Sequence, residues 1–362
     1  MSTDDGDAPG NYQAADEQGE RGAMTDQPQL EPIAPAEAVE LYFSHRRSDL
    51  SEKTLQNQRY RLNAFVEWCE TEGDLANLNA LTGRDIHRFR SWRLDDGVSK
   101  VTLAGVLQTF RKFLEFAAAI DAVEPGMRER VQLPDVDPEE EASDTILEED
   151  RARAILDYLE KFRYASREHV IMAVLWHTGC RMGTLRAMDV GDIDFEARCI
   201  DVRHRPETGT PLKNGLVAER AIAIGEEYCE VLRDYLEHNR PPVRDEHGRA
   251  PLIASKQGRL SETTIRSDVY QITRPCIIGE CPHDRDPADC EAMDYGHESK
   301  CPSSRSPHPV RRGSITKHLR DGSPQEIVSE RSNVSGEILD QHYDERSERE
   351  KMELRRDHIE GA

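Results

Sequence analysis

The sequence predicts a mainly α protein with a small β-sheet, an α+β chain in which a helical domain precedes a larger mixed one. Three observations predict it. Apolar residues at helical spacing fill 35–125. The run 169–177 (HVIMAVLWH) is apolar nearly all round, as a buried helix is. Strand-like alternation is confined to 193–195, 199–204 and 217–224.

Residues 1–34 are rich in Gly, Gln, Asp and Pro. They carry too few apolar residues to offset their ordering entropy and are expected to be a disordered acidic tail. Residues 35–125 follow as a helical domain. Val39, Leu41, Tyr42 and Phe43 open a first helix. Leu55, Leu62, Phe65, Val66, Trp68 and Cys69 share a face of a second that stops near Gly73. Asp85, Ile86, Phe89 and Trp92 mark a third, ending near Gly97. Val101, Leu103, Val106, Leu107, Phe110, Phe113, Leu114 and Phe116 mark a fourth. Pro125, Pro134, Pro138 and an acidic run make 126–150 a linker. The second domain, 151–343, opens on an amphipathic stretch at 154–162. The buried helix follows and is broken at Gly179. Then come the strand-like segments, with a turn at Glu207-Thr208-Gly209. Helices are expected near 226–239 and 261–274, a Cys-rich loop at 275–307, and short helices at 310–321, 324–330 and 335–342. The tail 344–362 is rich in Glu and Arg and reads either as a solvated helix or as a segment that docks on a neighbouring copy.

The chain of 362 residues carries 48 Lys+Arg against 70 Asp+Glu, a net charge of −22. Taken whole, that opposes binding to phosphates. Its distribution does not: residues 1–34 supply −7 and residues 135–150 supply −9, leaving −6 for the rest. Acidic excess with few lysines also suits a cytoplasm of high salt. The sequence has no apolar run long enough for a membrane span and no secretory leader pattern, so a cytoplasmic protein is expected, with no membrane partner. The 8 cysteines are too sparse for a disulfide-stapled scaffold. The helical domain is locally basic, through Arg46, Arg47, Lys53, Arg59, Arg61, Arg84, Arg88, Arg90, Arg93, Lys100, Arg111 and Lys112. Such a face is either solvated or a DNA contact.

Between 300 and 320 stand Lys300, Arg305, Arg311, Arg312, Lys317 and Arg320 without any acid. Within that stretch lies His308-Pro309-Val310-Arg311-Arg312. An arginine fork suits phosphate oxygens, and a histidine moves protons near neutral pH. In Thr178-Gly179-Cys180-Arg181-Met182-Gly183-Thr184-Leu185-Arg186, the glycine break puts Arg181 at the start of a new helix, where backbone amides also favour an anion. Lys213 sits in the hairpin segment Pro211-Leu212-Lys213-Asn214-Gly215. Tyr343 lies in Leu339-Asp340-Gln341-His342-Tyr343-Asp344. Each piece alone has an ordinary alternative: a surface HxxR, a plain helix start, a solvated lysine, a core tyrosine.

Taken in order, Arg181, Lys213, the HxxR of His308 and Arg311, and the late Tyr343 resemble the tyrosine recombinase (phage integrase) family, including its Xer-like enzymes, over residues 36–343. The wording is most similar to integrases of halophilic archaea. The resemblance implies a core-binding (SAM-like) DNA-binding domain at 35–125 and a tyrosine-recombinase catalytic domain at 151–343. It implies that Tyr343 attacks a scissile phosphate of double-stranded DNA to give a 3′-phosphotyrosyl link. Arg181 and Arg311 would bind the non-bridging oxygens, Lys213 would protonate the leaving 5′-oxygen, and His308 would act as acid–base or hold the phosphate. No cofactor or small-molecule substrate is needed, and a homotetramer on DNA is implied. Where the family has a His or Trp between HxxR and the tyrosine, the best match is Arg331; where it has an acid after the first arginine, this chain has Thr184. Two other readings remain: an integrase-like DNA-binding protein without catalysis, and an acidic, zinc-braced interaction protein without a DNA role. With a body still at −6, DNA binding is expected to be weaker and less salt-sensitive than that of a basic relative.

Cys276, Cys281, Cys290 and Cys301 share the loop 275–307 with His283 and His297. Their grouping suggests a structural zinc site of four thiolates in a Cys-rich insertion; free thiols and disulfides are the alternatives. Cys69, Cys180, Cys199 and Cys229 fall in apolar patterns and read as core.

Overall fold

The computed structural model describes residues 30–137, 145–344 and 346–360. Most of the expected acidic tail (1–29) and the centre of the linker (138–144) lie outside the described residues. The chain divides into two compact units, Met1–Ser143 and Asp144–Ala362.

In the first unit the helices are α1 (Pro35–Arg46), α2 (Glu52–Thr71), α3 (Gly83–Asp95) and α4 (Lys100–Ala119). Their starts are chemically marked. Ser51 and Ser99 each accept from the amide three residues on, and Thr82 with Asp85 closes a reciprocal capping box. Their apolar faces meet in an aromatic cluster, with Phe65 at 4.5 Å from Phe110 and 5.4 Å from Phe89 between ring centroids. Residues 30–34, assigned to the disordered tail, are tied down: Glu31 N donates to Asp121 O, and Leu78 N donates to Ile33 O at 2.8 Å.

The second unit is built on α6 (Arg167–Thr178), the apolar helix read from the sequence, whose residues from His169 to Trp176 are all buried. Around it pack α5 (Glu149–Phe162), α7 (Met182–Ala187), α8 (Glu226–Asp234, continuing as a π-turn to Asn239), α9 (Glu262–Ile272) and α10 (Pro307–Arg320). An antiparallel sheet runs β1 (Ile193–Asp194), β2 (Cys199–Val202), β3 (Arg220–Ala223), with Ile200 opposite Ile222. A further pair, β4 (Ala254–Ser255) and β5 (Gly258–Arg259), is too short to show a periodicity in sequence. The chain closes with α11 (Gln325–Ser332), α12 (Gly336–His342) and α13 (Glu348–Glu360).

The linker also ends earlier than its composition suggests. Leu147 is fully buried in the core of the second unit and its amide donates to Pro309 O at 3.0 Å, while α5 begins at Glu149. Glu148 is therefore the N-cap of a helix and Glu149 and Asp150 lie in its first turn, where negative charge faces the positive end of the dipole. Among the described residues no helix is long and apolar enough to cross a membrane.

Candidate active site

Gly179 ends α6 in the left-handed conformation (φ 60°), and a Cβ there would lie 3.0 Å from Ser332 Oγ. The turn puts Arg181 at the N-cap of α7, half-buried. His308 and Arg311 lie one turn apart on the first turns of α10, so both face the same side. Arg311 is 2 % exposed. Its Nη1 donates to Gly179 O at 2.5 Å and Ser332 O at 2.8 Å, its Nε faces the Tyr343 hydroxyl at 3.5 Å, and its Nη2 has no partner among the described residues. Its guanidinium carbon stands 5.5 Å from the centre of the Tyr343 ring.

Tyr343 caps α12 and is buried in a small cluster with Ile315, Leu319, Val328, Val334 and Leu339. Its carbonyl accepts from Thr316 Oγ1 at 2.9 Å, which ties the end of α12 to α10. The ring of His308 meets it edge-on at 6.0 Å. His308 keeps an exposed edge; desolvation of its ring, then the positive charges of Arg311, Arg312, Lys213 and Arg181, hold the imidazole below its usual range. Lys213, exposed on the segment between β2 and β3, lies close enough for its charge to reach His308. Arg181 is lowered by burial and by Arg311, and Tyr343 opposes this. Five of the residues singled out by sequence thus converge: Arg181, Lys213, His308, Arg311 and Tyr343.

Arg331 does not join them. Its terminal nitrogens donate to Ala223 O at 2.8 Å and His177 O at 3.0 Å, so the side chain braces β3 and α6. The backbone of its turn is what reaches the site. Three successive carbonyls at the end of α11 each accept from a different arginine: Arg331 O from Arg220 Nε, Ser332 O from Arg311 Nη1 and Asn333 O from Arg181 Nη1, all at 2.8 Å. A helix C-terminus presents unpaired carbonyls and partial negative charge, which suits guanidiniums. Asn333 caps that helix in the left-handed region (φ 53°).

Arg220 and Asn333 were not singled out by sequence. Burial, helped by Arg311, Arg181 and Arg331 and opposed by the Cys180 thiol, pushes Arg220 down to about 10, and among the described residues its Nη2 also lacks a partner. Arg220 gave no signal beyond one arginine in a short strand. A Ser-Asn pair ending a helix pattern is a C-cap signature that would have marked Asn333. Thr184 is buried in α7 and supplies no carboxylate.

The cysteines of 275–307 lie on a loop of short 3₁₀ turns, and all are free. Burial, and then the neighbouring Cys301 and Cys281, raise the Cys276 thiol, an effect that Arg274 opposes. Among the described residues, no three His, Cys, Asp or Glu side chains are gathered closely enough to hold a metal ion.

In the first unit several of the basic residues are already paired: Arg46 with Asp49, Arg59 with Glu40, Arg88 with Asp85 and Arg93 with Asp96. Arg47, Arg84 and Lys112 are exposed.

Residues 145–343 match the phage integrase family, and residues 40–120 match the phage integrase N-terminal SAM-like domain. The tyrosine recombinase XerC of Mycobacterium sp. (strain JLS) is 24 % identical over 307 residues, covering 83 % of this chain and 89 % of that protein. The Tn1549 transposon integrase in complex with a circular-intermediate DNA has a TM-score of 0.62 at 14 % identity, over 90 % of this chain and 99 % of that one. A lambda integrase dimer bound to a core site has a TM-score of 0.61 at 15 % identity, over 87 % of this chain and 78 % of that one.

Proposed function

The chain belongs to the phage integrase family of tyrosine recombinases, and on that footing we propose that it cuts and rejoins double-stranded DNA through a 3′-phosphotyrosyl link to Tyr343. The observation that carries this is the buried Arg311 Nη2. Among the described residues it is unpartnered, on a guanidinium whose Nε faces the Tyr343 hydroxyl and whose charge acts on Arg181 and Arg220. Among the described residues, the side chains that act most strongly on Arg181, Arg220 and His308 are other cations, the Cys180 thiol and Tyr343. An unpaired buried donor among like charges is costly, and a phosphate relieves both costs.

In the cleavage step the Tyr343 oxygen forms a bond to phosphorus and the P–O5′ bond breaks. The tyrosyl proton passes to His308, whose lowered pKa keeps it neutral and able to accept near pH 7. Lys213 supplies the proton to the leaving oxygen. Arg181 and Arg311 stabilise charge on the non-bridging oxygens. The covalent link conserves the bond energy, so the step needs no nucleotide. Arg331 acts through its backbone and has no acid–base role.

The first unit supplies further DNA contact through exposed bases such as Arg47, Arg84 and Lys112, and the working form is several copies on DNA, a tetramer in the synapse. The cysteine loop is proposed as a structural zinc site that Cys276, Cys281, Cys290 and Cys301 would hold; the influence of Cys301 and Cys281 on the Cys276 thiol supports it. One zinc per chain with protected thiols is expected, and zinc-free protein with four titratable thiols refutes it.

The test uses nicked suicide duplexes of randomised sequence at high salt. A covalent protein–DNA band that disappears in Tyr343→Phe is expected. The absence of any band leaves only DNA binding without cleavage.

A further inference from the structure

Lys213 comes to the site from a loop between two strands. It is exposed, on the segment 203–219 between β2 and β3. The root of that segment is anchored: Leu212 N donates to His204 Nδ1 at 2.9 Å, and His204 N to Glu219 Oε1 at 2.7 Å. The tip is not; Leu216 and Val217 are 71 % and 89 % exposed. Among the described residues, the hydrogen bond that carries the 213–217 tip to the rest of the unit runs from Asn214 Nδ2 to Asn333 Oδ1, at 3.3 Å. Asn333 is also the residue whose carbonyl holds Arg181.

We propose that Asn333 is a positioning residue that couples the lysine segment to the arginine cluster, its carbonyl fixing Arg181 and its side-chain oxygen fixing Asn214 beside Lys213. One residue thereby sets the distance between the group that stabilises the phosphate charge and the group that protonates the leaving oxygen. Two properties suit Asn to this place. It tolerates the left-handed backbone, here at φ 53° and ψ 62°, as few residues do. Unlike glycine, it offers an amide side chain at the same point. The inference rests on the reading of Lys213 as the general acid.

The substitution Asn333→Gly keeps the left-handed turn and the carbonyl and removes only the side-chain tether; Asn214→Ala removes the other half. Both are assayed in the full chain on nicked duplexes carrying the site that wild type recovers from the randomised pool. The scissile phosphate carries either the natural 5′-oxygen or a bridging 5′-sulfur. A thiolate leaves without being protonated, so the sulfur substrate bypasses the general acid.

Lys213→Ala is expected to cleave the oxygen substrate about 100-fold more slowly or worse and the sulfur substrate at close to the wild-type rate. Asn333→Gly and Asn214→Ala are expected to lose about tenfold on oxygen through misplacement of the lysine, and to recover on sulfur. If they are equally slow on both substrates, or unimpaired on oxygen, while Lys213→Ala is rescued, the positioning role is wrong and the general-acid reading stands. If Lys213→Ala itself is not rescued by sulfur, the general-acid reading falls and the proposal with it.

Discussion

Gly313 tests how α10 is seated. It lies on α10, two residues beyond Arg311, where the helix crosses the segment before α5. A Cβ added there would stand 2.0 Å from the Leu147 carbonyl oxygen and 3.0 Å from Trp176. The nearer atom is backbone, and it cannot swing aside as a side chain would. To restore ordinary contact the 145–148 segment must retreat by more than 1 Å. That breaks the 3.0 Å bond from Leu147 N to Pro309 O, and Leu147 itself is fully buried. Overpacking of this kind costs about 1–3 kcal/mol, and the lost buried bond adds about 1 kcal/mol, so Gly313→Ala should cost about 2–4 kcal/mol in all. For a unit of this size each kcal/mol moves Tm by about 2–4 °C, which predicts a fall of roughly 4–16 °C in thermal denaturation. Because α10 carries His308 and Arg311, cleavage should fall as well. A variant that melts within about 1 °C of wild type would show that helix and segment are not packed as described.

Two further outcomes follow from buried charge. Arg259 joins Asp189 at 2.5 Å and Asp245 at 2.8 Å with all three side chains largely buried; Arg259→Met should cost about 3 kcal/mol, the low end for a broken buried pair because Arg249 still reaches Asp189. An unchanged urea midpoint would contradict this. Burial lowers His169 to about 4; His177 is lowered to about 3 by burial and by Arg331, His318 and Lys317. Both lie below the unfolded value, so the unfolded chain binds the extra protons, and stability should be complete above about pH 6.5 and fall as pH drops towards 4. His169→Gln should shrink the difference in urea midpoint between pH 7 and pH 5; a difference equal to that of wild type would refute the assignment.

The parts legible in the sequence were those fixed by local chemistry. The faces of α2 and α4, the Thr82–Asp85 start of α3 and the apolar run of α6 each carry their own period or cap, and the structure forms helices there. In the site, Arg181, His308 and Arg311 sit at helix starts where a glycine break or a proline announces the turn. What escaped depends on partners far along the chain. Arg331 has the right place in the order of motifs, yet its direction is set by the carbonyls of His177 and Ala223, which no local pattern encodes. Arg220 matters because α11 ends beside it, and Leu147 sits in the core because Pro309 offers it a carbonyl. Composition misplaced the edges of the first domain for the same reason: residues 30–34 look like tail but pair with Asp121 and Leu78.

Tyr343 is predicted to become covalently joined to a DNA 3′-phosphate. Trypsin and nuclease digestion of the wild-type adduct, followed by mass spectrometry, tests it most directly, because cleavage after Arg331 and Arg346 releases Tyr343 within a single peptide. A nucleotide 3′-phosphate on Tyr343 of that peptide is the predicted result. A nucleotide on any other residue, or an unmodified 332–346 peptide from protein that has cut DNA, would contradict the account.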